Sequence, residues 1–524
     1  MSGRILWWVP ACLLSLVVLV AGLASAPSAA PRPPQALIYG MRLEPKSFDP
    51  AGGNEQYTLK VLRSAYEGLV QEKFGAAQIE PSLAESWTPS ADRSAWTFKL
   101  RRGVKFSDGA EFDAEAVRAT WDRLRKVTIG VHRLVANTEV QVVDRYTVTI
   151  KLNAPDVYFL YSLAKVPIVS PKAIKEHDEG GDFAQKWLAE NTAGTGPYRI
   201  TRWEHNQFIQ LDRFAGYWRG WSGRHLDQVK IVIVPEHATM MQMLERLEID
   251  MHSNPILPQD VERLKRNAGL QFVTGPASET AIFSLNTQKP PLDNKKFRQG
   301  LTYLFDYPGM AKKVLGGFGR VPRGFLAPGL ECYTDRRPPM TYDPAKGKAL
   351  IEQSGARGAT LLYHYTAARE DYRQAGLLLQ DALRGVGVEM KMQEFPFITL
   401  IEQHKKVETS PHMAPLAMGA FSGDPVYFFE LNFHSKNAGG PYNWSYYKNA
   451  EVDGLLQKAR ATPDRGGRCQ MLGKVQEILV DDAAAIYMVN PDKVEFIRKR
   501  VKGYRLHPLD FVWPVRFYEL SFEE

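Results

Sequence analysis

The chain contains, at residues 96–109, the segment Trp96-Thr97-Phe98-Lys99-Leu100-Arg101-Arg102-Gly103-Val104-Lys105-Phe106-Ser107-Asp108-Gly109. Its first half alternates apolar and polar residues, which predicts a strand with one face buried. The Ser-Asp-Gly at its end predicts a turn. Asp113 then predicts the N-cap of a helix that runs to Arg125. The unit of strand, turn and helix is the starting point for interpreting the rest of the chain.

Both kinds of periodicity continue on either side of this unit. Residues 146–152 alternate like a second strand, and Val229–Val234 form an apolar run of strand length. Helical spacing of apolar residues predicts helices in the C-terminal half at 297–305, 372–386, 452–459 and 472–479. Strands and helices are mixed throughout, which predicts an α/β fold with mixed sheets flanked by helices.

Length and charge limit the classes of function. The chain has 524 residues and a formal net charge of +8, and this length predicts about three domains. Acidic and basic residues are mixed along the whole chain, and the densest basic run is the short Arg498-Lys499-Arg500. We therefore expect a solvated basic surface and no nucleic-acid partner.

The N-terminus has the pattern of an export signal. Arg4 precedes an apolar stretch from Ile5 to Leu23, and small residues are dense from Ala24 to Ala30. This pattern predicts a cleaved signal peptide at about residues 1–30, with an uncleaved membrane anchor as the alternative. After cleavage we expect a soluble, periplasmic protein.

Two cysteines, Cys332 and Cys469, remain after such cleavage. An oxidising compartment permits a disulfide between them. Two structural thiols are an equal alternative, because spacing in the sequence does not show whether the two residues meet. The chain has no Cys-x-x-Cys pair and therefore no redox or zinc-ribbon motif of that kind.

A resemblance to a known family runs from about residue 36 to the C-terminus. It is clearest at Glu80-Pro81-Ser82-Leu83-Ala84-Glu85-Ser86-Trp87 and in the segment at 96–109. Further blocks follow in the family's order, at Phe112 to Val117, Gly194 to Tyr198, Asn286 to Asp306, Tyr342 to Pro344 and Asn443 to Asp453. The chain resembles the family 5 extracellular solute-binding proteins, the dipeptide, oligopeptide and nickel binders of ABC importers.

The resemblance implies a fold and a domain plan. The fold would be the two-lobed periplasmic-binding-protein (Venus flytrap) fold with an additional third domain. By analogy, lobe I is discontinuous, the extra domain follows its first piece, and lobe II comes before its last. We place lobe I at 36–50, 190–275 and 485–524, the extra domain at 51–189, and lobe II at 276–484. Such lobes close on a hinge around a solute.

The resemblance also implies a function. A monomer without a cofactor would capture a small solute, in the first place a short peptide, and deliver it to permease subunits in the inner membrane. A metal chelate, an opine or an oligosaccharide are alternative solutes, because this fold hosts varied ligands. A secreted hydrolase is a further alternative. However, the chain has no Gly-x-Ser-x-Gly, His-Glu-x-x-His or P-loop motif, and we expect neither catalysis nor a metal site.

The resemblance points to one region for ligand contacts in lobe II. In peptide-binding relatives a Trp-x-x-Asp motif supplies a carboxylate to the peptide's ammonium group, which would be costly to bury unpaired. Phe421, Gly423 and Asp424 occupy this region here, with Phe in place of Trp. A structural turn at Gly423-Asp424-Pro425 is the alternative interpretation.

A second candidate region lies near the N-terminus of the mature chain. Asp49-Pro50 forms a turn that lines the cleft in relatives. Asn54, Glu55 and Tyr57 follow this turn and are candidate contacts. Exposed polar loop residues without a binding role are the alternative.

Overall fold

The computed structural model describes residues 36–52, 56–76, 78–253, 255–366, 369–419, 423–507, 509 and 515–523. The signal peptide predicted at 1–30 lies outside the described residues. In these ranges, no helix has both the length and the apolar character needed to cross a bilayer.

The strands are numbered here in chain order. They are β1 Ala36–Met41, β2 Val70–Glu72, β3 Ile79–Pro81, β4 Ala84–Pro89, β5 Ala95–Leu100, β6 Thr138–Asp144, β7 Thr147–Leu152, β8 Tyr198–Glu204, β9 Phe208–Arg213, β10 Gln228–Ile233, β11 Met251–His252, β12 Leu270–Pro276, β13 Glu279–Leu285, β14 Gly319–Arg320, β15 Thr360–Tyr365, β16 Glu389–Glu394, β17 Met413–Gly419, β18 Ala485–Arg498, β19 Val501–Lys502 and β20 Ser521–Phe522.

The α-helices are numbered in the same way. They are α1 Gln56–Ala65, α2 Ala114–Lys126, α3 His132–Val135, α4 Phe159–Leu163, α5 Pro171–Glu176, α6 Gln185–Glu190, α7 His237–Glu245, α8 Pro258–Lys265, α9 Lys295–Leu304, α10 Tyr307–Gly309, α11 Pro344–Gln353, α12 Glu370–Arg384, α13 Phe397–Gln403, α14 Pro425–Phe433, α15 Ala450–Ala461 and α16 Arg465–Asp481. Short π- and 3₁₀-helical turns lie at Met310–Val314, Ser435–Asn437 and Phe517–Glu519.

The strand and helix predicted around residues 96–125 are confirmed. In β5 the side chains of Trp96, Phe98 and Leu100 are buried, as alternation requires. The Asp113 carboxylate caps α2 by accepting the backbone N–H groups of Glu115 and Ala116, at 3.0 and 3.4 Å. The other predicted elements are found as β7, β10, α9, α12, α15 and α16.

Three main sheets carry the described part of the chain. A five-stranded sheet has the order β11-β1-β10-β9-β8, and a four-stranded antiparallel sheet has the order β4-β5-β7-β6. Helix α2 covers the four-stranded sheet, and Trp121 donates from Nε1 to Thr138 Oγ1 at 2.9 Å. A seven-stranded sheet has the order β12-β18-β13-β17-β15-β16, with β14 paired to β18.

Strand β18 is the long element of the seven-stranded sheet. Its C-terminal half pairs with β12 from Pro276↔Asp492 to Leu270↔Arg498, and its N-terminal half pairs with β13. Between these halves, β14 pairs with Asn490 and Pro491. The chain passes from β12 to β13 at residues 276–279, directly beside the middle of β18. The β12 part of the sheet is therefore joined to the β13 part by two connections that lie side by side. One is the segment 276–279, and the other is the middle of β18.

The cysteine pairing left open by the sequence is resolved. Cys332 and Cys469 form a disulfide with a Cα–Cα distance of 5.0 Å. The bond ties the loop before α11 to helix α16. Mixed sheets with helices packed against them confirm the predicted α/β class.

Candidate ligand site

The Arg460 guanidinium joins distant parts of the chain. Its Nη1 lies 3.1 Å from Asp156 and 3.0 Å from Asp424, and its Nη2 lies 3.0 Å from Glu430. Asp156 precedes α4, whereas the other two carboxylates lie at and within α14. The backbone N–H of Val157 also donates to the Arg460 carbonyl, at 3.1 Å. These contacts hold the region before α4 against the C-terminal half of the chain.

Asp424, predicted to be a ligand contact, is the N-cap of α14. Its Oδ1 accepts the backbone N–H of Tyr427 at 3.0 Å, and its Oδ2 pairs with Arg460. Burial raises the pKa of Asp424 to about 6, with Asp156 adding to the rise and Arg460 opposing it. The carboxylate therefore caps a helix and carries part of a buried ion-pair cluster, whatever further contact it makes.

Gly423 lies where the start of α14 closely approaches α4. A Cβ on this residue would stand 2.3 Å from Cε1 of Tyr161, in α4. Only glycine permits such an approach of backbone to ring. Phe421 lies outside the described residues.

Sequence reasoning missed Glu72, the last residue of β2. Its side chain is completely buried, and among the described residues neither carboxylate oxygen has a hydrogen-bond partner. Burial raises the pKa of Glu72 to about 8, against the opposing charges of Lys165 and Arg63. Burial lowers the pKa of Lys165 to about 8, opposed by Glu72.

The same cluster reaches helix α14. The Lys165 Nζ lies 5.5 Å from the centre of the Tyr427 ring. The backbone N–H of Gly423 lies near the Glu72 carboxylate without completing a hydrogen bond. On the other side, Arg63 donates from Nη1 to the Ala164 carbonyl at 2.8 Å. Residues from β2, α1, α4 and the start of α14 thus meet around one buried carboxylate.

A small cavity borders β2. It has a volume of about 60 Å³ and lies between α1, residues 66–71 and residues 516–519. Arg63, Arg219 and Arg516 contribute to its wall. A space of this size holds a few water molecules and is too small for a dipeptide.

Tyr57, another predicted contact, lies near a second charged group on β18. Lys493 Nζ and Glu495 Oε1 pair at 3.0 Å on this strand. Burial raises the pKa of Tyr39, and Glu495 and Tyr57 add to the rise because both lie close to that phenol. Tyr57 is half-buried. Asn54 and Glu55 lie outside the described residues.

A third charged group lies at the start of α12. Arg369 donates from Nε and Nη2 to the Asp371 carboxylate, at 2.9 and 2.7 Å. Its Nη2 is 4.0 Å from Glu279, the first residue of β13. Burial raises the pKa of Glu279, and Arg369 opposes the rise. This group therefore lies beside the connection from β12 to β13.

A family model described as "Bacterial extracellular solute-binding proteins, family 5 Middle" matches residues 78–440. The chain belongs to this family. Two family 5 relatives from Escherichia coli (strain K12) are similar over most of their length. The probable D,D-dipeptide-binding periplasmic protein DdpA is 30% identical over 488 residues, which cover 91% of this chain and 92% of the relative. The dipeptide-binding protein is 28% identical over 507 residues, which cover 91% and 93%.

Comparison with a solved structure identifies the fold of the chain. The ABC transporter-associated periplasmic binding protein DppA from Helicobacter pylori, in complex with the peptide STSA, matches with a TM-score of 0.80 and 25% identity. The match covers 93% of this chain and 98% of that structure. The predicted periplasmic-binding-protein fold and the resemblance to family 5 are thereby confirmed. The domain boundaries stay a prediction.

One group of residues in the described ranges has the spacing of metal ligands. It consists of Glu331, Cys332 and Cys469. Both sulfur atoms are bonded to each other in the disulfide, so neither offers the thiolate that a metal requires. These residues do not form a metal site in this family 5 protein.

The signals available in the sequence explain which residues were missed. Asp424 stands in a block that resembles the family motif, and Tyr57 follows a recognisable turn. Glu72 occupies a short strand with no motif of its own. Its neighbours Lys165 and Gly423 are distant in sequence, so only the folded chain shows that the carboxylate is in a charged, buried cluster.

Proposed function

We propose that this family 5 solute-binding protein captures short peptides outside the cytoplasm and delivers them to the permease subunits of an ABC importer. The observation that carries the proposal is the presence of fully or partly buried charges of both signs in three places, around β2, on β18 and at the start of α12. A peptide is a zwitterion whose ammonium and carboxylate groups need opposite partners once they leave water. A neutral sugar would leave such groups without a charged partner.

Relatives and solved structures support this choice of solute. DdpA is named as a probable D,D-dipeptide-binding protein, and the similar Escherichia coli protein as a dipeptide-binding protein. The Helicobacter pylori protein holds the peptide STSA. By similarity, an extended peptide would pair with protein main chain, as an added strand does. Such pairing gives affinity without reading every side chain.

The proposed movement is the closing of two lobes. Lobe I would consist of 36–50, 190–275 and 485–524, lobe II of 276–484, and 51–189 would be the extra domain. The connections at 276–279 and in the middle of β18 are suited to a hinge, because they lie side by side. A ligand shifts the equilibrium toward the closed state only through contacts that it makes better there.

The predicted contacts keep their place in this proposal. Gly423, Asp424 and Phe421 would form the lobe II wall, and Tyr57 with Asn54 and Glu55 would form the lobe I wall. We further propose that the mature protein is an exported, periplasmic monomer that binds its solute without cofactor or chemical change.

Mass spectrometry of small molecules that co-purify with the protein tests the proposed solute. We expect peptides, and calorimetry should then show one peptide per protein. Matched titrations use an oligosaccharide, an opine and a nickel chelate of histidine. Tight binding of one of these, with no binding of any peptide, would contradict the proposal.

A second measurement tests the absence of chemistry. The peptide that binds is kept with excess protein for a day and then analysed by chromatography. We expect intact peptide. Free amino acids that appear with wild-type protein and scale with its concentration would support the alternative of a secreted hydrolase.

A further inference from the structure

We propose that Glu72 is the carboxylate that receives the ammonium group of the bound solute, and that Asp424 shapes the wall beside it. The inference rests on the proposed function, because it concerns the same site and a solute with a free ammonium group. The residue that pairs directly with the ammonium group would thus lie in β2, and not in the region of Phe421 to Asp424 that resembles the family motif.

The first argument is that Asp424 already uses both carboxylate oxygens. One oxygen accepts the Tyr427 N–H at 3.0 Å, and the other pairs with Arg460 at 3.0 Å. Arg460 in turn is held by Asp156 and Glu430. A ligand ammonium at Asp424 would therefore have to displace an existing partner from one of the two oxygens.

The second argument is that Glu72 has an unmet demand for a partner. It has no exposed surface, and within the described residues both Oε1 and Oε2 lack a hydrogen-bond donor. Leaving a buried acceptor unsatisfied lowers stability, and does so more for a charged group. A ligand ammonium has three N–H donors and satisfies both oxygens.

The third argument concerns the groups that face Glu72. Arg63 comes from α1 and Tyr161 from α4, and Lys165 follows the C-cap of α4. His507 and Arg516 come from the C-terminal segment. His507 Nε2 lies 3.9 Å from Oε2. Burial lowers the pKa of His507 to about 4, so this imidazole is neutral at pH 7.

Each of the remaining cations also contacts another group. Arg516 bonds the backbone carbonyl of Glu72 and lies 3.5 Å from Glu80. Arg63 bonds the Ala164 carbonyl, and the Lys165 Nζ lies over the Tyr427 ring. Their charges lower the pKa of Glu72, but burial outweighs this effect. The carboxylate oxygens therefore remain available to a ligand donor.

The position of Glu72 suits a solute held between moving parts. Gly423 directly precedes Asp424 and packs against Tyr161 with no room for a Cβ. The Glu72 carboxylate, which lies near both Gly423 and Tyr161, is therefore located where the region around α4 meets the start of α14. A group bound there contacts both regions in the closed form, which is the condition for a ligand to favour closure.

A proton balance follows from this assignment. Burial raises the pKa of Glu72 to about 8, so at pH 7 without ligand the group holds its proton. A bound ammonium favours the ionised form, and the proton leaves to solvent. Peptide binding at pH 7 should therefore release close to one proton per peptide. Calorimetry in two buffers of different ionisation enthalpy measures this number in the wild-type protein.

The test compares a peptide identified by co-purification with its N-acetylated form, which lacks the ammonium group. For wild-type protein we expect the free peptide to bind at least tenfold more tightly. Glu72→Gln should remove most of this preference, by weakening the free peptide and sparing the acetylated one, and should abolish proton release. Glu85→Gln, at an exposed carboxylate in β4, is the matched control and should behave as wild type.

The outcomes separate the inference from the function on which it rests. If Glu72→Gln keeps the tenfold preference, or wild type releases no proton, the inference is overturned while peptide binding stands. If Asp424→Asn alone removes the preference, the ammonium partner is Asp424. If wild-type protein binds no peptide of either form, the proposed function itself fails. Proton release needs no variant, so misfolding of Glu72→Gln would not leave the question open.

Discussion

Glu72 and Asp424 make the stability of the ligand-free protein depend on pH. Burial raises the pKa of Glu72 to about 8 and that of Asp424 to about 6, whereas such groups titrate at about pH 4 in an unfolded chain. The folded state therefore holds these protons more tightly. The stability gained from them is complete below the unfolded pKa and is lost as pH rises through the folded pKa.

Glu72→Gln tests this pH dependence without ligand. The variant has no proton to lose at this position, so its melting temperature should fall less than that of wild type between about pH 5 and pH 8. Differential scanning calorimetry across this range measures the difference. Parallel curves for the two proteins would show that Glu72 does not titrate there.

Asp424→Ala and Asp424→Asn separate the two structural roles of this residue. Alanine removes the cap of α14 and one partner of Arg460, and should lower the free energy of unfolding by about 3 kcal/mol. Asparagine still caps a helix, and Asp156 and Glu430 still hold Arg460, so about 1 kcal/mol should be lost. Urea unfolding measures both values. Equal losses would mean that charge and cap do not act as described.

At the level of elements, the disulfide fastens helix α16 to the loop before α11. Cys332 and Cys469 are 137 residues apart in sequence, so the bond restricts a large part of the unfolded chain. Replacing both cysteines with serine should lower the free energy of unfolding by about 2–4 kcal/mol. Denaturant unfolding of the variant and of reduced wild type should agree. No change on reduction would contradict this role.

The elements also show why prediction succeeded in some places and failed in others. The alternation of Trp96, Phe98 and Leu100 is local, so β5 could be predicted from its own residues. The Asp113 cap of α2 was local in the same sense. The ion pairs of Arg460 depend on regions that meet only in the folded chain. Asp424 was therefore recognised as a candidate, but its existing partners were not.

At the level of the whole molecule, the salt bridge between Asp156 and Arg460 links the region before α4 to the helices α14 and α15. If this contact forms on closure, Asp156→Ala should speed ligand dissociation by about threefold to tenfold, equivalent to about 0.7–1.4 kcal/mol. The association rate should change little, because mutations of this kind act mainly on dissociation.

Stopped-flow fluorescence of the tryptophans can follow both rates. Asp122→Ala is a suitable control, because Asp122 forms an exposed pair with Arg118 at 3.5 Å on α2. It should leave dissociation unchanged. An unchanged rate in Asp156→Ala as well would mean that the Arg460 cluster persists when the ligand leaves.

Strand β18 has a mechanical consequence. Its residues from Ala485 to Arg498, with the exception of Met488 at a register shift, have a β-partner, because β13, β14 and β12 follow one another along its length. Rotation about such a ribbon twists the backbone elastically and breaks no main-chain hydrogen bond. If the proposed lobes turn about this strand, the ribbon would act as a torsion spring whose rest angle is set by the sheet.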